Sequence, residues 1–393
     1  MMHRQILPIT AQRLRCLCAY SLVGSLLFGL LYACGKGAEW SDMSPAPVCF
    51  TVDGDTASTR ATPTTEVRRI GVFGYSHSAG AHWAGSAATA KPDYFLNKMV
   101  VSPNGVSWNY DGIIKYWDAT REISFFAYEP YHDVASPLTI SGNFVLTPAG
   151  KSTAGAPAVT YTVPTDVTRQ IDLLYAATPN QTATSNQQTP GTVAFNMRHA
   201  LAQIDVAFKL DATNDPKRPM IVTVTDVTFD NLYGKGTLNL STGAWSNYTS
   251  TTDRYLLTAA NGGLNDADNN LVFDARKIIG GQPDHAFPTN GRLLTHADNG
   301  HLMVIPHRNA AARVVIGYTL QNLATGVTST PTPVTVSLTG TWAAGNKYTY
   351  LVTLSLNGAS KVAVSVGKFG DDSIRWAEAG GSDAPEGTAD INM

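Results

Sequence analysis

Residues 200–210 read Ala-Leu-Ala-Gln-Ile-Asp-Val-Ala-Phe-Lys-Leu. Ile204, Val206, Phe208 and Leu210 share one parity, while Gln203, Asp205 and Lys209 take the other. Side chains change face at every residue of an extended strand, so the spacing predicts a strand with one packed and one wet face. The same period recurs on both sides of this stretch. Upstream, Val159, Tyr161 and Val163 alternate with Thr160 and Thr162; downstream, Val334, Val336 and Leu338 alternate with Thr335 and Ser337. Tyr348, Tyr350, Val352, Leu354 and Leu356 then hold one face, Asn357-Gly358 supplies a tight hairpin turn, and Val362, Val364 and Val366 form the return strand. Between Met220 and Phe229 the phase slips: Val222 and Val224 share one parity, Val227 and Phe229 the other, which predicts a bulge near Asp226. No helical period is sustained. The expectation is an all-β chain of two consecutive sandwich domains.

Composition agrees with strands and turns. Only 15% of the 393 residues are charged, 34 are glycine, and 44% are hydrophobic, enough to build a substantial core. The chain starts with Arg4, Arg13 and Arg15, no acid before Cys34, and an apolar run from Leu17 to Ala33. That order of basic region, apolar region and small residue is an export signal, and the cysteine after Ala33 marks it as a lipoprotein signal. Residues 1–33 are therefore read as a signal peptide, with Cys34 the lipidated residue that tethers the chain to the outer membrane, exposed at the cell surface. Removing residues 1–33 takes away three of 28 basic side chains and none of 30 acids, so the mature charge is 25 − 30 = −5. A mildly acidic chain without a basic cluster argues against nucleic acid as a partner. Of four cysteines, Cys16 and Cys18 leave with the signal and Cys34 takes lipid, so Cys49 has no partner for an internal disulfide.

Residues 35–66 are polar apart from Val48-Cys49-Phe50-Thr51-Val52, read as a tether with one strand in it. A strand is also expected from Ile70 to Tyr75, followed by a polar loop. The stretch 178–194 is polar and aperiodic, and is read as the linker that divides a domain of residues 61–190 from one of residues 191–393.

Constellations with chemistry are scarce. Gly74-Tyr75-Ser76-His77-Ser78-Ala79-Gly80 fails the Gly-x-Ser-x-Gly spacing of a nucleophile elbow at both serines. His285, His296, His301 and His307 match no ligand spacing and are read as solvated loop residues. Asn265-Asp266-Ala267-Asp268-Asn269-Asn270 resembles a calcium loop, but Leu271 stands where the turn needs glycine. No metal, cofactor or enzymatic activity is expected. Trp108, Tyr110, Tyr116, Trp117, Phe125, Phe126, Tyr128 and Tyr131 are dense enough for a core. A second reading has Trp108 and Trp117 contacting a glycan, in a lipid-anchored binding protein that never polymerises.

Several segments, taken in order, resemble the fimbrillin superfamily, the lipoprotein pilins of type V pili in Bacteroidales. They are Cys34; Asp55 to Thr62, with Thr59-Arg60-Ala61-Thr62; Ile70-Gly71-Val72-Phe73-Gly74-Tyr75; Trp108-Asn109-Tyr110 through Tyr116-Trp117 to Ile123–Pro130; Asp172-Leu173-Leu174-Tyr175-Ala176; and Phe195 with His199-Ala200-Leu201-Ala202. The resemblance implies transthyretin-like sandwiches that polymerise by donor-strand exchange. It implies a processing protease that cuts after an arginine, here Arg60, with Arg68 and Arg69 as runners-up. Residues 34–60 would then be a lipidated propeptide carrying a removable strand. The implied donor strand is C-terminal, with Val362, Val364 and Val366 the matching residues. Residues 371–393 carry six acids and one arginine, unlike the apolar end of a stalk pilin, which opens a tip or accessory role. The implied partners are other fimbrial subunits, self or paralogous, and a host or bacterial surface ligand for adhesion.

Overall fold

A computed structural model describes residues 46–54, 68–103, 105–132, 145–147, 150–165, 170–210, 220–249, 253–258, 272–274, 278–279, 282–283, 292–293, 302–307, 311–330, 332–338, 340–355 and 358–368. Residues 1–33, read as a signal peptide, Cys34, Arg60, residues 265–270, His285, His296, His301 and the acidic stretch 371–393 lie outside these residues. Helix among them is one turn, α1 (Trp83–Ser86). The remainder is strand and connection.

The first eight strands are β1 (Cys49–Gly54), β2 (Arg68–Ser78), β3 (Phe95–Ser102), β4 (Arg121–Glu129), β5 (Val145–Thr147), β6 (Ala158–Thr162), β7 (Leu174–Gln181) and β8 (Thr192–His199). Six of them make one sheet in the order β1-β8-β7-β4-β2-β3. All its pairs are antiparallel except β1 with β8, which is parallel. β4 shows why both faces of this sheet are dry. Ile123, Phe125 and Ala127 enter one hydrophobic cluster with Val48, Phe50 and Val52, while Phe126 and Tyr128 enter the other. A strand packed on both faces reads as a continuous apolar run, as Ile123 to Tyr128 does apart from Ser124. β2 continues past Tyr75 to Ser78, because His77 and Ser78 still pair with Glu122 and Arg121 of β4.

The stretch 178–194 is not a linker between sheets. β7 and β8 lie on either side of its central loop and pair with each other, so it closes a hairpin within one sheet. The chain leaves this sheet only after His199. The next strands are β9 (Ala202–Leu210), β10 (Met220–Leu232), β11 (Lys235–Asn239), β12 (Trp245–Thr249) and β13 (Asp253–Thr258). A four-stranded sheet, β12-β11-β6-β5, joins residues 145–162 to residues 235–249. A division at residue 190 therefore cuts through both a hairpin and a shared sheet.

The remaining strands are β14 (Val272–Asp274), β15 (Ile278–Ile279), β16 (Gln282–Pro283), β17 (Arg292–Leu293) and β18 (Leu302–Val304). They are followed by β19 (Arg313–Asn322), β20 (Thr328–Ser329), β21 (Val334–Ser337), β22 (Asn346–Ser355) and β23 (Gly358–Lys368). Among the described residues, β15 pairs only with β16. One large sheet runs β13-β10-β19-β20, with β14 on β10 and β21 on β19; another runs β17-β9-β22-β23, with β18 on β9. Their apolar faces share a single core with β6 and β11. The bulge expected near Asp226 is present as a register shift between Val224 and Asp226 against β19. Gly317 opposes it, and a Cβ there would stand 2.1 Å from the Asp226 carboxylate.

β9 carries a correction. Its Ile204, Val206 and Phe208 face the core beside Tyr348, Tyr350 and Val352 of parallel β22. Its other face is not wet: Gln203 is 4% and Asp205 0% exposed. Lys347 of β22 is buried as well and brings Nζ to 3.3 Å from Asp205 Oδ2. A buried carboxylate with a buried ammonium beside it looks, in sequence, like a solvated strand face.

Candidate functional site

β1 is held less like an element of the fold than like a ligand in a groove. Val48, Phe50 and Val52 point inward and are buried, while Asp53 is exposed. Phe50 is the anchor. Its ring stacks on Phe195 of β8 at 5.6 Å and 13°, and meets Phe95, Tyr110 and Phe125 edge-on at 5.7–5.8 Å. Val48, Phe50 and Val52 each contribute about 1.5–3 kcal/mol by leaving water, and Phe50 a further amount from ring geometry.

Two walls pair with the β1 backbone. On one side lies β8, in parallel register from Cys49 opposite Thr192 to Gly54 opposite Met197. On the other lies an irregular strap, residues 105–117. Val48 N–H donates to Lys115 O at 2.8 Å, Trp117 N–H donates to Ala46 O at 2.9 Å, and Phe50 forms a bridge with Trp108. The strap is fixed to β3 by two backbone bonds between Asn109 and Val101. Lys98 bonds Asp111, and this hydrogen bond holds the Asp111 carboxyl below the usual carboxylate range. Gly191 sits at the entrance with φ +84, a conformation costly for other residues; its carbonyl accepts both Cys49 N–H and the Trp117 indole N–H.

The strand has one covalent link to the rest of the described fold, residues 55–67, which includes Arg60. Beyond it the runner-up arginines are poorly placed for a protease. Arg68 pairs with β3 and donates two hydrogen bonds to Glu129, at 3.0 and 2.6 Å, beneath its contact with the Trp108 ring. Arg69 is exposed but paired in the same strand.

Trp108 and Trp117, read as possible glycan contacts, are 6% and 4% exposed. Arg68 covers the first, and the second packs on Phe125. Neither ring offers a face to a sugar, and both belong to the groove. Val362, Val364 and Val366 lie in β23, which pairs with β22 and ends its sheet. Phe50, Gly191 and Tyr110 were not legible as groove residues; Phe50 stood only within the apolar stretch Val48–Val52, and Tyr110 only among the clustered aromatics.

His307, expected in solvent, is buried among Tyr233, Tyr248 and Trp342, with Nδ1 against Ile305 O. Burial depresses its pKa below 6.5, against a smaller upward effect of the Ile305 carbonyl. The unfolded chain therefore takes up a proton near pH 6.5 that the folded chain refuses. The contribution of His307 is complete above that pH and is lost as pH falls below it. Thermal melts at pH 7.5 and 5.5 are expected to show a loss of Tm on acidification that is smaller in His307→Gln; equal losses would refute this.

Among the described residues, an all-β body with β1 seated in an aromatic groove and joined to the rest through one connection defines a β-sandwich protein. The chain belongs to the fimbrillin-like family, whose model matches residues 59–368. The match begins after β1 and ends on the last residue of β23. A fimbrium subunit, Fim1C of Phocaeicola vulgatus, is 27% identical over 334 residues, covering 80% of this chain and 83% of that one. The crystal structure of a fimbrial protein from Bacteroides vulgatus superposes with a TM-score of 0.63 at 23% identity, covering 82% of this chain and 99% of the other.

Proposed function

We propose that this protein is a non-enzymatic structural or accessory subunit of a cell-surface fimbria that mediates adhesion, assembled by replacement of β1. The chain reaches the outer membrane on the lipid of Cys34, a protease cuts after Arg60, and a strand from a neighbouring subunit takes the vacated groove. The observation that carries this reading is the seating of β1: apolar side chains inward, backbone paired on two sides, and one connection to sever. An emptied groove exposes apolar surface and unpaired backbone groups, so it takes up an added strand strongly. A head-to-tail contact of that kind does not close on itself and builds a filament.

The test is intact mass and size exclusion of the chain from Gly35 onward, before and after limited trypsin. One early cut between Gly54 and Arg68, with a compact core that shifts to higher oligomers, is expected. Scattered cleavage, or a cut core that stays monomeric with candidate subunits present, would overturn the reading.

A further inference from the structure

Seven large apolar side chains are exposed among the described residues, and four of them, Val106, Ile113, Ile114 and Tyr116, sit in the strap over β1. Single exposed apolar residues are ordinary; a cluster on one short segment marks a contact surface. Ile113 is 86% exposed. The segment is also pre-formed, since Tyr94 donates its hydroxyl to Tyr116 O and Lys115 lies 5.3 Å from the Tyr94 ring centre. A surface already ordered loses little entropy on binding.

The direction of β1 says what lands there. The strap residues 115–117 and Gly191 grip the start of β1, and Gly54 opposite Met197 marks its far end. A replacement strand that reproduces these bonds enters at the strap and leaves at Met197. In a chain that donates β23, nearly the whole described body precedes the donated strand. That body must then lie at the entry, beside Ile113, Ile114 and Tyr116. An oppositely directed strand would put it at the Met197 end.

We infer that Ile113, Ile114 and Tyr116 form the seat for the body of a second copy of this chain whose C-terminal strand fills the β1 groove. The inference rests on the strand-replacement reading above and adds polarity and a second contact to it. Groove and seat together make a two-part interface in which the strand supplies backbone pairing and the seat supplies apolar contact.

The test uses the double variant Ile113→Asp/Ile114→Asp, cut between residues 54 and 68 and stripped of its own β1. Two probes are offered: a synthetic peptide of residues 46–54, which reads the groove alone, and a second copy of the chain, which reads groove and seat. Peptide uptake equal to the parent chain, with association of the second copy weakened about tenfold or more, is expected. A photo-reactive residue at position 113 is expected to cross-link to the second copy, and one at position 196, exposed beside Met197 in β8, is not. Unchanged association, or cross-links from position 196 alone, would overturn the seat while leaving the groove reading intact. Peptide uptake without any association of the parent chain with a second copy would show that the occupant is wrong. Failure of the parent chain to take the peptide would remove the strand-replacement reading, and the seat with it.

Discussion

Phe50→Ala will release β1 once the 55–67 connection is cut. The parent chain, nicked in the same way and kept too dilute for a second copy to displace the strand, will keep it. Phe50 is 2% exposed and touches Phe195, Phe95, Tyr110 and Phe125, so truncation leaves a cavity lined by rings. Phenylalanine-to-alanine changes in cores cost about 3–5 kcal/mol. For a segment held without covalent attachment, that is a loss of roughly two to four orders of magnitude in affinity. Mass spectrometry of the size-exclusion peak reads the outcome: core plus residues 35–60 for the parent, core alone for the variant. Retention of the alanine segment would show that backbone pairing, not the ring, holds the strand. Val52→Ala, nearer the end of the groove, should loosen it far less.

Gly71→Ala is the second large effect. A Cβ at this position would stand 2.2 Å from Tyr128 Cε1 and 2.7 Å from Asn97 Oδ1. The ring cannot step aside cheaply: Tyr128 is fully buried, its hydroxyl donates to Asn97 Oδ1 at 2.8 Å, and His132 N–H donates to it at 3.2 Å. Overpacking a core usually costs about 1–3 kcal/mol, and this site belongs at the top of that range or above it. In a chain of this size a drop in Tm of about 3–5 °C is expected. Combining it with Tyr128→Leu, which removes the obstructing edge, should recover part of that loss. A variant that melts with the parent would show that β2 and β4 shift apart more easily than their shared burial allows.

These two positions illustrate what sequence can carry. The short apolar stretch from Val48 to Val52 announced a strand, and the series from Ile70 to Tyr75 announced another. The slip between Val224 and Asp226 was likewise visible as a change of parity. Period-two patterning reports which face a residue takes, not which strand lies beside it. The pairing of β1 with β8, about 140 residues away and parallel, leaves no trace in either segment. The same limit explains the hairpin loop within 178–194, whose polarity is equally that of a linker. Asp205 and His307 failed for a different reason. Polar residue types were taken as signs of water, whereas Lys347 accompanies the first and three aromatic rings enclose the second. Pairing of that kind is a property of the tertiary structure alone.

The single connection between β1 and β2 also sets a local concentration. Thirteen residues, 55–67, tie the strand covalently to β2, and a short tether corresponds to about millimolar effective concentration. Against such an internal supply, a rival strand of equal affinity at about micromolar concentration occupies the groove in roughly one molecule in a thousand. Breaking one peptide bond abolishes the advantage without altering a single contact in the groove. Occupancy then follows the concentrations and affinities of the free segments, and the departing strand is diluted into the surrounding volume. On the strand-replacement reading proposed above, the chain is a stored binding site whose timing is written in a tether, and a longer or shorter connection would reset how firmly it waits.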